Sequence, residues 1–560
     1  MMKHFAPISG IACFKNQYIA TAGYDNQVIL WDAISQKPIH RVLHDHLANQ
    51  CAFSADGRLL VSASSDHTAR IWAVPTLRLK AALIGHEDDI EMAAFSPDGS
   101  QVATCSRDHT IRLFDLTGLC LKVLRGHTAD VISVSWAADS RSLVSSSDDG
   151  SIRRWDVASG HQTDLIDLGG VETDTLALAR DGTIFAGDDE GRITVITPVQ
   201  TCVIPAHVAG IKRIVFDDVR RLLVSLSYDR SVILWRADAQ GTLQQIAQSA
   251  LPSVIWPRSC ALLGDDQIVF ATFGSRYATW NHRQDSWELD GIEPAISLNA
   301  VALVEGDEYT IGDAGVLHIN GEPSVNVGSL CNFLQPFGSL LLTGGQMGTV
   351  FDAISGQVLH RHRSPLNCAT TFMKDGRLHA AIGTYTGEAI ILVLDENDQV
   401  QYQGDVAMHD NAIKGITADD ELLFSVCATS AVAFHRVADF SLESYIDDAH
   451  ERIANGCTRI DGGFASISRD LKLRIWRGGE SEVFDTPHTH SVKCIAASAD
   501  QRLIATGSYG GTIAVFDVEA RDWIEMGKPT ASGISCLVSD QRSNGFLASS
   551  YDGRVYQVCS

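Results

Sequence analysis

The sequence lacks long apolar runs, paired cysteines and a signal peptide. No window of its 560 residues approaches 18 uninterrupted apolar positions, and residues 1–10 contain no apolar core. The 13 cysteines show no CxxC pairs. Five of them lie in apolar segments that open a repeat: Cys13, Cys51, Cys368, Cys494 and Cys536. We therefore expect a cytoplasmic protein with free thiols, without membrane insertion, disulfides or zinc.

Positive charge is also scarce. The chain has 44 Lys and Arg against 68 Asp and Glu, a net charge of −24. Residues 1–160 hold 15 basic and 17 acidic residues, so the remaining residues carry a net charge of −22. Because an acidic surface repels a phosphate backbone, this balance argues against nucleic acid and favours protein partners with basic surfaces.

A repeat of about 40 residues runs along the chain. An acidic or turn residue is followed six positions later by tryptophan or an apolar residue. The pairs are Asp25/Trp31, Asp66/Trp72, Asp108/Phe114, Asp149/Trp155, Glu190/Ile196, Asp229/Trp235, Asp470/Trp476, Gly510/Phe516 and Asp552/Val558. The gap from Asp229 to Asp470 leaves room for five degenerate units. Candidates are Ser275–Trp280, Asp313–Ile319, Gly345–Phe351, Tyr385–Leu392 and Thr429–Phe434.

Each unit has the pattern of four short strands. In residues 86–125, apolar alternation predicts a first strand at Ile90–Phe95 and a second at Gln101–Ser106. A third is expected at Ile111–Phe114 and an outer one at Leu121–Leu124. Such units are typical of β-propeller blades. Because propellers usually have four to eight blades, about fourteen four-stranded blades predict an all-β chain of two seven-bladed propellers, residues 1–285 and 286–560.

With Gly-His at Gly85-His86 and Gly126-His127, and Trp-Asp at Trp31-Asp32 and Trp155-Asp156, the chain resembles the WD-repeat family over essentially its whole length. The resemblance implies a buried hydrogen-bond network of His, Ser, Asp and Trp within a blade. The matching sets are His44, Ser64, Asp66 and Trp72; His127, Ser147, Asp149 and Trp155; His207, Ser227, Asp229 and Trp235; and His450, Ser468, Asp470 and Trp476.

These sets also contain the residue types of a hydrolase triad. We interpret them as structural, because four blades repeat the set and a single active site would not. The His-x-His segments at residues 44–46, 360–362 and 488–490 could in principle bind a metal, but His44 and His488 align with the network histidine. We therefore expect no metal site, catalytic residue or cofactor.

The resemblance further implies that the residue before the turn Asp lies on the face used for partners. Tyr and Arg predominate there: Tyr24, Arg107, Tyr228, Arg469, Tyr509 and Tyr551. Both types are enriched at interface hot spots, although a solvated turn would also accept them. We expect a non-catalytic interaction scaffold. The alternatives are a peptide or phosphopeptide reader using Arg107 and an enzyme with its site in the second propeller's channel.

Residues 2–6 precede the first repeat and are expected to form an outer strand. They would complete either the blade around Trp280, with residues near Trp287 completing the last blade, or the last blade itself. The sequence leaves both connections open.

Overall fold

The fold consists of β-strands joined by short turns. The computed structural model describes residues 2–169, 171–238, 240–396, 399–542 and 545–558, and this part of the chain contains no helix. Accordingly, none of these residues forms a helix with the length and apolar character needed to cross a membrane. The chain divides into two units, Met1–Ala295 and Ile296–Ser560, with the break ten residues beyond the boundary predicted at residue 285.

The first unit contains sheets 1 to 7, each built from four consecutive strands. The strands are β1 Ile8–Phe14, β2 Tyr18–Gly23, β3 Gln27–Asp32, β4 Pro38–Leu43; β5 Ala48–Phe53, β6 Leu59–Ser64, β7 Ala69–Ala73, β8 Arg78–Leu83; β9 Ile90–Phe95, β10 Gln101–Ser106, β11 Thr110–Asp115, β12 Cys120–Arg125; β13 Val131–Trp136, β14 Ser142–Ser147, β15 Ser151–Asp156, β16 Gln162–Asp167; β17 Thr175–Leu178, β18 Ile184–Gly187, β19 Arg192–Ile196, β20 Thr201–Pro205; β21 Ile211–Asp217, β22 Leu222–Ser227, β23 Ser231–Ala237, β24 Leu243–Ala250; β25 Ile255–Leu263, β26 Gln267–Thr272, β27 Ala278–Asn281 and β28 Ser286–Glu288.

The second unit contains sheets 8 to 14 in the same chain order. The strands are β29 Leu298–Val304, β30 Asp307–Gly312, β31 Val316–Ile319, β32 Glu322–Asn326; β33 Cys331–Phe337, β34 Leu340–Gly345, β35 Thr349–Asp352, β36 Val358–Arg361; β37 Leu366–Lys374, β38 Arg377–Thr384, β39 Glu388–Leu394, β40 Val400–Ala407; β41 Ile413–Ala418, β42 Leu422–Cys427, β43 Val432–Arg436, β44 Leu442–Ile446; β45 Ala454–Ile460, β46 Gly463–Ser468, β47 Lys472–Arg477, β48 Glu480–Asp485; β49 Val492–Ala497, β50 Leu503–Ser508, β51 Ile513–Asp517, β52 Asp522–Gly527; β53 Ile534–Asp540, β54 Gly545–Ser550 and β55 Val555–Val558.

The predicted count of fourteen units is confirmed. Thirteen sheets have four antiparallel strands, and sheet 14 has three within the described residues. The five degenerate units expected between Asp229 and Asp470 are sheets 7 to 11, and each candidate segment overlaps the third strand of its sheet. In sheet 3 the predicted strands agree with β9 to β12 to within one residue.

Neighbouring sheets pack face to face. Val61 and Ile71 of sheet 2, for example, share one apolar cluster with Ile90, Val102 and Phe114 of sheet 3. The second strand is therefore buried on both faces, whereas the outer strand β12 alternates between exposed and mostly half-buried positions. Within each unit the first strands contact each other in succession, and β25 also contacts β1 as β53 contacts β29.

The expected role of residues 2–6 is wrong. They form no strand, and sheet 7 supplies its own outer strand, in which Trp287 lies opposite Trp280. Residues near Trp287 therefore do not complete the last sheet. Residues 2–6 lie beside sheet 7 through a hydrogen bond of 3.0 Å from the amide of His4 to the carbonyl oxygen of Ser275. The twelve described cysteines are free thiols.

Candidate functional site

The predicted network exists as a chain of hydrogen bonds inside single sheets. In sheet 2 the indole Nε1 of Trp72 donates to Ser62 Oγ at 2.8 Å, and this oxygen lies 2.7 Å from His44 Nε2. His44 Nδ1 lies 3.0 Å from a carboxylate oxygen of Asp66. Because Nδ1 donates to the carboxylate, the neutral imidazole accepts the Ser62 hydroxyl proton at Nε2. The indole Nε1, the serine hydroxyl and both imidazole nitrogens of this network in sheet 2 therefore all have hydrogen-bond partners.

Burial and hydrogen bonding set the ionisation of this network. Burial lowers the pKa of His44, which keeps the imidazole neutral. For Asp66, burial opposes ionisation, but the hydrogen bond from His44 and those from Thr68 and the amide of Asp45 lower the pKa below its usual range. An ionised aspartate is therefore held by donors at the turn between the second and third strands.

The same chain recurs in other sheets. The sets are Trp155, Ser145, His127 and Asp149 in sheet 4, and Trp235, Ser225, His207 and Asp229 in sheet 6. In sheet 12, Trp476, Ser466 and His450 are linked in the same way, but Arg474 donates to His450 Nδ1 at 2.8 Å and to Asp470 at 2.7 Å and so joins the histidine to the aspartate. The histidine, aspartate and tryptophan of each predicted set are thus brought together. The predicted serines Ser64, Ser147, Ser227 and Ser468 are wrong as the link, because the linking hydroxyl lies two residues earlier.

Strand register explains this correction. Ser62 is paired with Arg70 and lies one diagonal step from Trp72, which is paired with Leu60. Ser64 lies at the end of β6. Its hydroxyl accepts a hydrogen bond of 3.0 Å from the backbone amide of Asp66 and donates one of 3.3 Å to the carbonyl oxygen of His46. The predicted serines therefore stabilise the turn rather than the tryptophan.

The sequence analysis missed one complete set. In sheet 1, Trp31 donates to Thr21 Oγ1 at 2.8 Å, and this hydroxyl is bonded to His4, which also contacts Asp25. No Gly-His pair marks His4, but threonine and tryptophan are ten residues apart, like Ser62 and Trp72. Residues 2–6 therefore contribute a histidine rather than a strand.

Sheets 3 and 13 are among those that keep only part of this hydrogen-bond chain. In sheet 3, Thr104 and Asp108 bind His86, but Phe114 offers no indole donor. In sheet 13, His488 is held by Thr506 and Thr512 beside Phe516. The linking hydroxyls of Ser62, Ser145 and Thr104 have no exposed surface, which places them out of reach of a substrate.

Around the first strands of the first unit, the predicted residues Tyr24 and Arg107 belong to one continuous set of contacts. Tyr24 lies edge-on to Trp256, with ring centroids 5.1 Å apart, and the Arg258 guanidinium lies 5.8 Å from the Trp256 centroid. Glu91 binds Arg258 at 3.1 Å and Arg107 at 2.5 Å. We call these five residues the mouth of the first unit.

Five half-buried carboxylates extend the mouth across sheets 4 and 5. This acidic arc consists of Asp130, Asp148, Glu172, Asp174 and Asp189. Arg107 binds Asp130 at 2.7 Å. Lys212 binds Asp174 and Asp189 and lies 4.9 Å from the ring centroid of Tyr228, the third residue predicted in this unit.

Negative charge is in excess along the acidic arc. Burial, together with the nearby carboxylates of Glu172 and Asp130, raises the pKa of Asp148 well above its usual range. Asp148 Oδ1 is buried and accepts no hydrogen bond. The arc therefore favours additional positive charge.

In the second unit, Tyr509 and Tyr551 stack with centroids 6.3 Å apart, and Arg469 occupies the equivalent turn after β46. The sequence analysis missed Trp256, Arg258 and Lys212, which lie on first strands rather than on turns.

Of the His-x-His segments, His44 and His488 belong to the network, while the ring of His360 stacks on that of Tyr402 with centroids 4.4 Å apart. Ligand atoms of His67, Asp88 and Asp89 lie within 4.8 Å of one another, which metal binding would require.

Comparison with known proteins gives matches along much of the chain. The family model for the WD domain, G-beta repeat, matches residues 3–32, 37–73, 77–115, 118–156, 197–236 and 481–517. Similar proteins include Autophagic-related protein 16.2 of Caenorhabditis elegans, 25% identical over 47% of this chain and 53% of the relative. Nuclear distribution protein PAC1 of Arthroderma otae is 27% identical over 40% and 38%, respectively. SIR4-interacting protein SIF2 of Saccharomyces cerevisiae is 24% identical over 35% and 39%.

The chain thus spans about half or less of the length of these curated relatives. The six matched segments carry sheets 1 to 4, 6 and 13, and the sheets between them repeat the same four-stranded order. Together with the histidine, hydroxyl, aspartate and tryptophan networks, these matches show that the chain is built of WD repeats.

Proposed function

We propose that this protein is a non-catalytic, cytoplasmic scaffold that binds protein partners through the mouth of its first unit. The observation that carries the proposal is the continuous contact from Tyr24 through Trp256, Arg258 and Glu91 to Arg107. Aromatic and arginine side chains held rigidly at one surface are typical of interface hot spots. Twelve free thiols support a reducing compartment.

The preferred partner carries lysine or arginine at its contact surface. The acidic arc has five carboxylates, of which Asp148 has an oxygen without a donor. A basic side chain from a partner would offset the repulsion between carboxylates that, together with burial, raises the pKa of Asp148. The chain's net charge of −24 acts in the same direction at long range.

The phosphopeptide alternative receives less support. Arg107 already donates to Glu91 and Asp130, so its guanidinium is not open to a phosphate group. A phosphate would also meet the acidic arc. For the alternative of an enzyme in the second unit's channel, no observation on the described residues favours a reaction.

The test is affinity capture of the full-length protein from its native cells, beside the variants Tyr24→Ala and Asp148→Asn. A matched control is Tyr402→Ala, which removes a tyrosine that is 50% exposed on the outer strand β40. We expect a stoichiometric partner that both mouth variants lose and the control retains. Raising the salt concentration from about 0.1 M to 1 M should release it, because the Debye length falls from about 10 Å to about 3 Å.

Two results would contradict the proposal. A partner retained by both mouth variants but lost by Tyr509→Ala would place the contact on the second unit. Absence of any stoichiometric partner would remove the support for a scaffold.

A further inference from the structure

Arg213 is a half-buried positive charge of the first unit that has no ion-pair partner among the described residues. It lies on β21 in sheet 6, yet its electrostatic neighbours are Cys51, Cys105, Cys260 and Arg258, from sheets 2, 3 and 7. A side chain of sheet 6 can have neighbours in sheets 2, 3 and 7 only if it lies in the space between the first strands. The guanidinium therefore points into the centre of the unit.

Arg213 has fewer partners than Arg107 and Arg230 of this unit. Its Nε is buried and donates no hydrogen bond, and among the described residues no carboxylate lies within 4.0 Å of its guanidinium. Arg107 has two carboxylate partners, and Arg230 donates to the carbonyl oxygens of Ile255, Leu251 and Pro252. A half-buried guanidinium without such partners loses part of its hydration with no hydrogen bond to compensate at Nε.

The surrounding thiols do not supply the missing charge. Burial raises the pKa of Cys51 and of Cys260 to about 12, so both remain neutral at physiological pH. Burial lowers the pKa of Arg213 itself, and the positive charge of Arg258 acts in the same direction. Glu91 and Asp130 offset two of the three charges of Arg107, Arg258 and Arg213. Among these three arginines, Arg213 is the one without an ion-pair partner in the described part of the chain.

We propose that Arg213 binds a carboxylate group in the centre of the first unit. A carboxylate supplies one negative charge and two oxygens, which match the planar fork of a guanidinium. A phosphate dianion would exceed the available charge and would have to pass the acidic arc. The carboxylate could be an acidic side chain or the C-terminus of a polypeptide. This inference is independent of the proposed scaffold function.

The experiment is thermal unfolding of the full-length protein in N-acetylglycine, which represents a C-terminal carboxylate, and in N-acetyl-aspartate N-methylamide, which represents a side chain. Sodium phosphate and sodium chloride at matched ionic strength are the comparison salts. We expect a saturable rise of about 2–4 °C in the unfolding temperature of the first unit with one of the two carboxylates. The larger rise identifies the source.

Variants separate binding from folding. Arg213→Met should unfold at a higher temperature than the native protein without ligand, since it removes an uncompensated charge, and should lose the response to carboxylate. Arg213→Lys keeps the charge but loses the planar pair of N–H donors, so at least ten-fold more carboxylate should be needed for the same rise in unfolding temperature. The matched control Arg107→Met should lower the unfolding temperature, because it removes an ion-pair partner from both Glu91 and Asp130.

Three outcomes would overturn the proposal. One is a response to both carboxylates no larger than the response to chloride. Another is an undiminished response in Arg213→Met. The third is a larger response to phosphate than to either carboxylate. A partner-capture result of either sign leaves these readouts unaffected, so the two proposals fail separately.

Discussion

The side-chain amide of Asn49 donates a hydrogen bond of 3.0 Å to the carbonyl oxygen of Ile90, which joins the first strand of sheet 2 to that of sheet 3. The same bond recurs in the second unit from Asn299 to Cys331, Asn332 to Leu366, Asn367 to Ile413 and Asn455 to Val492, at 2.7–3.0 Å. Each asparagine is the second residue of its strand, where a bulge turns the side chain toward the next sheet.

The first prediction concerns this contact. Asn455→Ala should lower the free energy of unfolding by about 1–2 kcal/mol, because the buried carbonyl of Val492 loses its donor. Denaturant unfolding of the full-length protein measures the loss. Asn16→Ala, at an exposed turn, should be neutral. Equal effects of the two substitutions would show that the amide contributes nothing between sheets.

The second prediction compares two linking hydroxyls. Ser145→Ala leaves both Trp155 Nε1 and His127 Nε2 without a partner and should cost about 2–4 kcal/mol. Thr104→Val affects only His86 in this way, because Phe114 has no indole, and should cost about half as much. Chemical denaturation provides both values. A cost for Thr104→Val as large as that for Ser145→Ala would contradict the role assigned to the tryptophan.

The third prediction is a pH dependence in sheet 8. Burial raises the pKa of Asp313 from 3.8 to about 6, although Ser297 and Asn299 donate to its carboxylate. Since the folded pKa is the higher one, the stabilisation is fully present below pH 4 and is lost as the pH rises through 6. The loss is about 3 kcal/mol.

Asp313→Asn removes this titration and keeps the polar contacts. The variant should be more stable than the native protein at pH 7.5, and its advantage should vanish near pH 4. Unfolding temperatures measured from pH 4 to pH 8 give the difference. Asp139→Asn, at an exposed turn, serves as the control. A constant difference across this range would rule out a buried, protonated Asp313.

The fourth prediction separates structure from recognition at the mouth. Arg107→Met should destabilise the first unit by about 3–5 kcal/mol, because it leaves the carboxylates of Glu91 and Asp130 without their main partner. Calorimetry of the full-length protein detects the change. If Arg107→Met unfolded like the native protein, Arg107 would be a solvated turn residue after all.

The number of sheets could be predicted from the sequence because turn residues and apolar alternation recur at one spacing, even where tryptophan is replaced. The identity of the linking hydroxyl could not. Ser62 and Ser64 lie on the same face of β6, and only the register with β7 decides which of them meets Trp72.

The mouth was predicted in part. The turn positions of Tyr24, Arg107 and Tyr228 follow from the repeat, but their contacts come from other sheets. Trp256 and Arg258 lie in β25, where a register shift between Ile255 and Cys260 changes the direction of the side chains. No repeat spacing predicts such an insertion, so contacts between distant blades require coordinates.

Sheets 1 and 7 meet without sharing a strand. The amide of Ile11 donates to Ser259 Oγ at 3.2 Å across 248 residues of chain, and Lys3 binds Glu293. Closing a loop about six times longer than one repeat costs only about 1.6 kcal/mol more in chain entropy. The two ends of this unit are therefore neighbours in space, and the first strands of sheets 1 and 7 contact each other as those of consecutive sheets do. A circularly permuted first unit, opened between any two sheets, should retain the same fold.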